Sequence, residues 1–476
     1  MSFDISVPKG WQLVKLSDLG EVNRGKSKHR PRDADFLYGG KYPFIQTGDV
    51  KASNGRINSF NQTYSNEGLK QSRLWPVDTM CITIAANIAE TGVLQFSACF
   101  PDSVIGFIAD KTKCDVYFIE YMFRLLKAKI KAQANGSVQD NINLQTLERI
   151  HFPIPDLVTQ KKIAQALGVL DDKIVQNNQM NQTLEQMAQA LFKSWFVDFE
   201  PVKAKIAVLE AGGSQEDATL AAMTAISGKD ADALAVFQRE HPEQYAELKA
   251  TAALFPSAMQ ESELGDIPEG WHVSDLSEVA SLNTESWSKK NAPESVSYVD
   301  LANTKWGVIN SIETYQFSDA PSRARRILKP HDTIVGTVRP GNGSYSYINK
   351  TGLTGSTGFA VLTPKARVFS EYIYLCVTSI ESIERLAHLA DGGAYPAVNA
   401  DVVLSTQCVL PVERDIREAV LKVFSSRTDM FFSYRANVLS QNEMLSNIRD
   451  TLLPKLLSGE ITLPEAEQAV SEAENV

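Results

Sequence analysis

The sequence predicts an α+β protein with two similar globular domains and a pair of long antiparallel coiled-coil helices, related by an approximate two-fold axis. Three observations lead to this prediction. They are an internal repeat, an uninterrupted heptad pattern after each copy of the repeat, and a length of 476 residues, which exceeds one ordinary domain. Hydrophobic residues make up 43% of the chain, so several cores can form.

The repeat begins at Pro8-Lys9-Gly10-Trp11, which recurs as Pro268-Glu269-Gly270-Trp271. Later landmarks keep their order, since 78–84 corresponds to 332–338, 106–107 to 358–359 and 118–121 to 369–372. Both copies also close alike, because 136–155 and 392–411 share one spacing of Gly, Asn and Pro. A duplication explains this better than chance.

Each copy contains short β-branched and aromatic runs bounded by Gly, Asn, Asp and Pro, which is typical of strands and turns. In the first copy these runs are 43–50, 79–84 and 104–109. Apolar residues with helical spacing occupy 116–134 in the first copy and 369–389 in the second. Each copy is therefore predicted to be an α+β domain, the first over 1–155 and the second over 264–411.

Apolar residues four and three apart follow each copy, which is the pattern of a coiled-coil seam. In the first helix, predicted over 156–199, the seam comprises Ile163, Leu167, Leu170, Ile174, Leu184 and Leu191. In the second helix, predicted over 412–459, it comprises Ile416, Val420, Val423, Met444 and Ile448. Asn177 and Asn181 interrupt the first seam, either to fix its register or as tolerated surface residues. Because one long helix cannot bury its seam alone, we expect the two helices to pair antiparallel.

The net charge of −10 is unevenly distributed. Residues 210–266 carry −8 and residues 460–476 carry −5, so the rest of the chain is about +3, and 1–155 alone is +4. We interpret 200–263 as a long acidic linker with some helix and 460–476 as an acidic tail. Binding to nucleic acid is therefore compatible with the overall acidity, because phosphates are neutralised by local basic groups.

Catalytic signatures are missing from the sequence. It contains no phosphate-binding loop of the Gly-x-x-x-x-Gly-Lys type, no His-Glu-x-x-His and no Gly-x-Ser-x-Gly. The six histidines lack metal-ligand spacing, and the five cysteines are predicted to be buried thiols. No apolar run is long enough to span a bilayer and the first residues do not resemble a signal peptide, so a cytoplasmic location is expected.

Basic clusters without acids occur once in each copy, at 24–32 and at 323–329. Guanidinium and ammonium groups neutralise phosphates, and Arg and Asn on turns suit guanine and adenine edges. The alternative is a solvated run of charge. The candidate DNA-binding residues are Lys26, Lys28, Arg30, Arg32, Asn54, Arg56, Arg73, Asn87, Lys289, Lys290, Arg323, Arg325, Arg326, Arg339, Asn342 and Tyr345.

The chain resembles the specificity subunits of type I restriction-modification enzymes. The resemblance lies in the repeated Pro-x-Gly-Trp motifs and in the two helix endings, LFKSWFVDFEPV at 191–202 and LLPKLLSGEI at 452–461. It implies a non-catalytic subunit in which two target-recognition domains each bind half of a split sequence in double-stranded DNA, while the helices set the gap between the halves.

The resemblance also implies partners. These are two methyltransferase (modification) subunits and two motor-nuclease (restriction) subunits, to which S-adenosylmethionine, ATP and Mg²⁺ would belong, with no cofactor in this chain. Trp195 and Phe196 are expected to anchor the methyltransferase subunits. The alternative is a rod-shaped scaffold whose two heads bind proteins.

Overall fold

The computed structural model describes residues 7, 10–85, 88–134, 144–390, 396–458 and 460–474. The chain divides into two compact units. Unit 1 comprises Met1–Gln179 and Val438–Val476, and unit 2 comprises Met180–Asn437. Both boundaries fall inside long helices, so each long helix contributes one half to each unit.

Unit 1 is built around a mixed sheet. Its strands are β1 (Gln12–Lys15), β2 (Gly20–Arg24), β3 (Tyr38–Phe44), β4 (Gly55–Ile57), β5 (Gln62–Tyr64), β6 (Thr79–Thr83), β7 (Thr91–Leu94), β8 (Val104–Ala109) and β9 (His151–Ile154). Its helices are α1 (Leu16–Leu19), α2 (Thr47–Ala52), α3 (Asn66–Lys70), α4 (Val116–Ala134), α5 (Leu144–Glu148) and the first half of α6 (Leu157–Phe196). The main sheet has the order β2-β8-β6-β7-β4, and β1 pairs antiparallel with β9.

Unit 2 contains the end of α6, two four-stranded sheets and further helices. The helices are α7 (Glu200–Glu210), α8 (Gln215–Ser227), α9 (Ala231–Glu240), α10 (Pro242–Ala253), α11 (Ser370–Val377), α12 (Ile380–Ala390), α13 (Ala400–Leu404) and the first half of α14 (Arg414–Ser458). The strands are β10 (Met259–Ser262), β11 (Gly265–Pro268), β12 (Trp271–Asp275), β13 (Ala280–Leu282), β14 (Ser295–Val299), β15 (Thr304–Lys305), β16 (Val308–Ile309), β17 (Glu313–Gln316), β18 (Ala324–Leu328), β19 (Thr333–Gly336), β20 (Tyr345–Tyr347), β21 (Leu353–Ser356), β22 (Phe359–Pro364) and β23 (Gln407–Pro411). The sheets have the orders β13-β22-β19-β20 and β17-β14-β21-β18, and β12 pairs antiparallel with β23.

The two units repeat one topology. The β12–β23 pair repeats β1–β9, the β13-β22-β19 order repeats β2-β8-β6, and α11 follows β22 as α4 follows β8. Each of these helices buries a glutamate completely, Glu120 in α4 and Glu371 in α11. Both carboxylates pair with an arginine one helical turn away, Arg124 at 2.7 Å and Arg367 at 2.6 Å. The predicted α+β duplication is confirmed in this topology.

In unit 1 the first half of α6 packs against the second half of α14. Asn177 is buried and donates from Nδ2 to Oδ1 of Asn442 at 2.9 Å. Nη1 of Arg449 donates to Oδ1 of Asp171 at 2.6 Å. Residue numbers fall along α14 as they rise along α6, so the two halves are antiparallel. The interpretation of Asn177 as a surface residue is wrong, since its side-chain hydrogen bond to Asn442 suits only one register.

In unit 2 the second half of α6 packs against the first half of α14, again antiparallel. Arg435 of α14 forms an ion pair with Glu185 of α6. Further along, Phe424 packs against Trp195 with ring centroids 5.7 Å apart. Each unit therefore contains a charged contact between the two helices, with the acid on α6 and the arginine on α14.

The residues of α14 that form the buried seam lie one position C-terminal to the predicted seam residues. Its most buried positions with heptad spacing are Leu421, Phe424, Thr428, Arg435, Val438, Leu445, Arg449 and Leu452. Of the predicted seam residues Val420 is buried and Val423 and Ile448 are half-buried, while Ile416 and Met444 are exposed. The prediction is wrong in phase because two arginines occupy the real seam, where acids of α6 neutralise them. The predicted α6 residues Ile163, Leu167, Leu170 and Ile174 are buried, and Leu184 and Leu191 are half-buried.

The segment predicted as a linker is a packed helical insertion, α7 to α10. Ser214 and Asp230 cap α8 and α9 by accepting from backbone N–H groups three residues later. Met223, Leu234 and Leu248 are buried in the core of unit 2. The linker prediction is therefore wrong, because acidic residues cover the outside of helices whose inner faces are apolar.

The segment 460–476, predicted as an acidic tail, contains α15 (Leu463–Glu474). Ala466, Val470 and Ala473 are buried in the core of unit 1, while Glu465, Glu467 and Glu472 are exposed. The acidity thus marks one face of an amphipathic helix instead of an extended tail.

Candidate nucleic-acid interface

The basic loop of unit 1 follows β2. Lys26 and Lys28 are exposed, and neither ammonium group has an acidic partner within the part of the chain that the structure describes. Arg30 is exposed but donates to two carbonyl oxygens of its own loop, each at 2.7 Å. Arg32 binds both carboxylate oxygens of Asp102, at 2.8 and 2.9 Å. The two lysines are therefore the groups of this loop most available to phosphate.

Arg56 was predicted to contact DNA, and the structure corrects this. Its side chain is 7% exposed, and its guanidinium lies 4.1 Å from the ring centroid of Tyr117. It is 4.0 Å from the carboxylate of Asp171 on α6. Arg56 therefore holds β4 to α6, because a buried guanidinium needs an acidic partner.

Arg73, also predicted to contact DNA, is more accessible than Arg56. Its guanidinium lies 4.0 Å from the ring centroid of Trp75.

Asn54 occupies the turn that leads into β4 and its side chain is exposed. Its backbone is left-handed, with φ of 46°, and that of Gly55 has φ of 88°. Nη2 of Arg124 donates to the carbonyl oxygen of Asn54 at 2.7 Å, which holds the turn to α4. The predicted Asn87 lies outside the described residues.

The basic cluster of unit 2 has four basic residues, and one of them, Lys329, forms an ion pair with Glu285. Arg323 is exposed without an acidic partner among the described residues. Arg325 lies 4.8 Å over the ring of Phe317, and Arg326 is half-buried and donates to Oγ of Ser286 at 3.3 Å. Burial lowers the pKa of Arg326, which nevertheless stays charged at neutral pH. The predicted Lys289 and Lys290 are exposed on the loop between β13 and β14.

A second tight turn of unit 2 carries Arg339 and Asn342, both exposed. Arg339 has φ of 47° and precedes a short 3-10 turn, Pro340–Asn342. Tyr345 begins β20 and is buried, with its ring edge against Tyr374 at a centroid distance of 6.2 Å. Burial raises the pKa of Tyr345. The prediction that Tyr345 contacts DNA is therefore wrong, because the residue belongs to the core.

Trp306 was not predicted and lies beside this turn. Its side chain is 59% exposed, and its backbone N–H donates to the carbonyl oxygen of Gly343 at 2.7 Å. The sequence contains a signal for it. The run NGRINS at 54–59 recurs as WGVINS at 306–311, so Trp306 occupies the repeat position of Asn54.

Trp195 and Phe196 were predicted as anchors for a partner subunit, and both are buried. The indole of Trp195 meets Phe255, which follows the helical insertion, edge to face at a centroid distance of 5.2 Å. Phe196 packs against Tyr372 of α11 at 4.8 Å. The prediction is wrong because the insertion and α11 cover the end of α6.

Among the described residues no three His, Cys, Asp or Glu side chains are close enough to hold a metal ion. All five cysteines are buried without disulfides, as predicted. Within the described ranges no helix is both long and apolar enough to cross a bilayer.

Comparison with known proteins identifies relatives. Residues 8–186 match the family model for the type I restriction modification DNA specificity domain. The chain is 31% identical to the HindI specificity subunit of Haemophilus influenzae over 374 residues, which cover 75% of this chain and 80% of that protein. It is 23% identical to the MjaIX specificity subunit of Methanocaldococcus jannaschii, with 96% and 95% covered. The solved S subunit of a type I system from M. genitalium aligns with a TM-score of 0.41 at 13% identity, with 96% of this chain and 98% of that one covered.

The structure defines a protein with two α+β domains of one topology, exposed basic loops and a pair of long helices. The chain belongs to the family of type I restriction enzyme specificity subunits. Its part in such a system is DNA specificity and not catalysis. Membership of this family excludes the alternative of a rod-shaped scaffold whose two heads bind proteins.

Proposed function

We propose that each of the two domains reads one half of a split sequence in double-stranded DNA. The observation that carries the proposal is the repeated topology, together with exposed basic residues in a loop of each copy. Lys26 and Lys28 in the first domain and Arg323 in the second would neutralise phosphates. Asn54, Arg339 and Asn342 extend from tight turns and would approach base edges.

The helices α6 and α14 would set the spacing between the two half-sites. Support comes from the way their register is held by side chains that fit only one alignment. In unit 1 these are the Asn177–Asn442 hydrogen bond and the Asp171–Arg449 ion pair, and in unit 2 the Glu185–Arg435 ion pair. A seam with buried polar contacts resists sliding, because a shift would leave charges unpaired.

Modification subunits would dock on exposed apolar residues of the helices. On α14 these are Met430 and Tyr434 in unit 2 and Met444 in unit 1, which lie on the stripe beside the seam. This surface replaces Trp195 and Phe196 as the proposed contact. The methyltransferase and motor-nuclease subunits would supply S-adenosylmethionine, ATP and Mg²⁺ chemistry in the cytoplasm.

The proposal is tested by expressing the full chain with its cognate methyltransferase and sequencing the methylated bases in the host genome. We expect adenine methylation at one motif made of two short defined blocks with an unspecified gap of constant length. A continuous motif would contradict the proposal of two separate readers.

Replacement of both Lys26 and Lys28 by alanine is expected to weaken DNA binding and to flatten its salt dependence. Each lost phosphate contact lowers the slope of log K against log salt by about 1, so the double variant should lower it by about 2. Lys111→Ala is the control, because Lys111 is equally exposed but already paired with Asp78. An unchanged slope in the double variant would remove this loop from the interface.

A further inference from the structure

The repeated run NGRINS and WGVINS places Asn54 and Trp306 at one position of the duplicated fold. Both residues have left-handed backbone, with φ of 46° and 47°, and both precede a left-handed glycine, with φ of 88° and 81°. Non-glycine residues seldom adopt this conformation, and it persists only where the surroundings impose it. The two copies therefore present different side chains from the same strained turn.

The turn rests on an arginine in each unit. A Cβ on Gly55 would lie 1.6 Å from Nη2 of Arg124, and Nη2 of Arg124 donates to Asp171 of α6 at 3.2 Å. A Cβ on Gly307 would lie 2.8 Å from Nη2 of Arg435, which is paired with Glu185 of α6. The left-handed backbone of Gly55 and Gly307 also favours glycine at these positions. In each unit the turn therefore packs against an arginine that is paired with an acid of α6.

The indole of Trp306 is held on one side only. It lies on Gly343, where an added Cβ would be 2.5 Å from the ring, and it meets Tyr345 edge to face at a centroid distance of 5.9 Å. Nζ of Lys305 donates to the carbonyl oxygen of Asn342 at 3.1 Å, which ties the two turns together. More than half of the indole surface remains exposed. An aromatic ring that is held on one face and exposed on the other can contact a ligand without first losing rotamer freedom.

We propose that this shared turn position determines specificity in both domains, and that Trp306 makes an apolar contact with a base of the half-site read by the second domain. The inference rests on the proposed function. The exposed indole suits the C5-methyl group of thymine or the face of an unstacked base, and Arg339 on the adjacent turn suits a base edge. Asn54, at the same position of the first domain, suits the paired donor and acceptor of adenine.

The test compares methylated motifs of full-length variants co-expressed with the cognate methyltransferase. For Trp306→Ala we expect the preference at one base pair of one half-site to fall about tenfold, with the other half-site unchanged. For Asn54→Ala we expect the same loss in the other half-site. Leu264→Ala is the control, because it removes an exposed apolar side chain of the same unit from the hairpin of β10 and β11.

The outcomes separate this inference from the function on which it rests. If the unmodified chain produces no split motif, the proposed function fails. If it produces one and Trp306→Ala leaves every position unchanged, only the role of Trp306 is overturned. Loss of co-purification with the methyltransferase, with base preference intact, would also overturn it by assigning Trp306 to a protein contact. Once the motif is known, DNA binding can be measured with uracil in place of thymine at the affected position. Weaker binding would indicate a contact with the C5-methyl group, and unchanged binding would indicate stacking on the base.

Discussion

Replacement of Asp171 by alanine is expected to lower the free energy of unfolding of unit 1 by about 3–5 kcal/mol, the usual cost of breaking a buried ion pair. The side chain is 2% exposed and faces three guanidinium groups, Arg449 at 2.6 Å, Arg124 at 3.2 Å and Arg56 at 4.0 Å. Without the carboxylate, these positive charges would be buried with too little compensation. Denaturant unfolding of the full chain measures the loss.

The adjacent Asp172 gives a matched control. Its carboxylate is 69% exposed and lies 3.8 Å from Arg56. Since an exposed ion pair contributes about 0–1 kcal/mol, Asp172→Ala should change the free energy of unfolding by no more than that. Equal effects of the two substitutions would contradict the assignment of Asp171 as the centre of the cluster.

The pH dependence of the Asp171 effect follows from its pKa. Burial by itself raises the pKa of Asp171, but the guanidinium groups of Arg124, Arg449 and Arg56 outweigh burial and lower it. A lowered folded-state pKa gives stability that is fully present above the unfolded value of about 3.9 and is lost as pH falls through the folded value. The difference between the native chain and Asp171→Asn should therefore be constant near neutral pH and shrink only below about pH 4.

Reversal of the second buried pair is expected to have a comparable effect in unit 2. Glu185→Arg would bury two guanidinium groups side by side and should lower the free energy of unfolding by at least about 3 kcal/mol. Arg435→Glu should act similarly, since it would bury two carboxylates. The double variant restores opposite charges across the seam, so we expect it to recover at least half of the loss, measured by a double-mutant cycle.

The exposed pair Arg414 and Glu418, one helical turn apart on α14, is the control for this cycle. Exchanging its two residues should change stability by less than about 0.5 kcal/mol, because such pairs are solvated. A double variant of Glu185 and Arg435 that is no more stable than the single variants would show that shape, and not charge, governs the contact.

The two buried pairs share one assignment of charge. Asp171 and Glu185 both belong to α6, and Arg449 and Arg435 both belong to α14. Pairing α6 with another α6, or α14 with another α14, would therefore place like charges together in a buried seam. Such repulsion favours the pairing of unlike helices, which is how natural interfaces reject wrong partners.

The features that depend on local sequence patterns could be predicted from the amino-acid sequence alone. The duplication, the strands around Thr79–Thr83 and Thr333–Gly336, the long helices and the phase of the α6 seam follow from repeats and from the spacing of apolar residues. The family resemblance rests on the same local runs.

The features that depend on contacts between distant parts of the chain could be identified only from the folded structure. The α14 seam contains Arg435 and Arg449 because acids some 250 residues or more away in the chain neutralise them, and periodicity cannot detect such pairing. Trp195 is covered because Phe255 and Phe424 pack against its indole, whereas Trp306 packs on Gly343 and remains largely exposed. Burial is a property of the assembled fold, so the sequence shows which residues can take part in recognition but not which of them reach the surface.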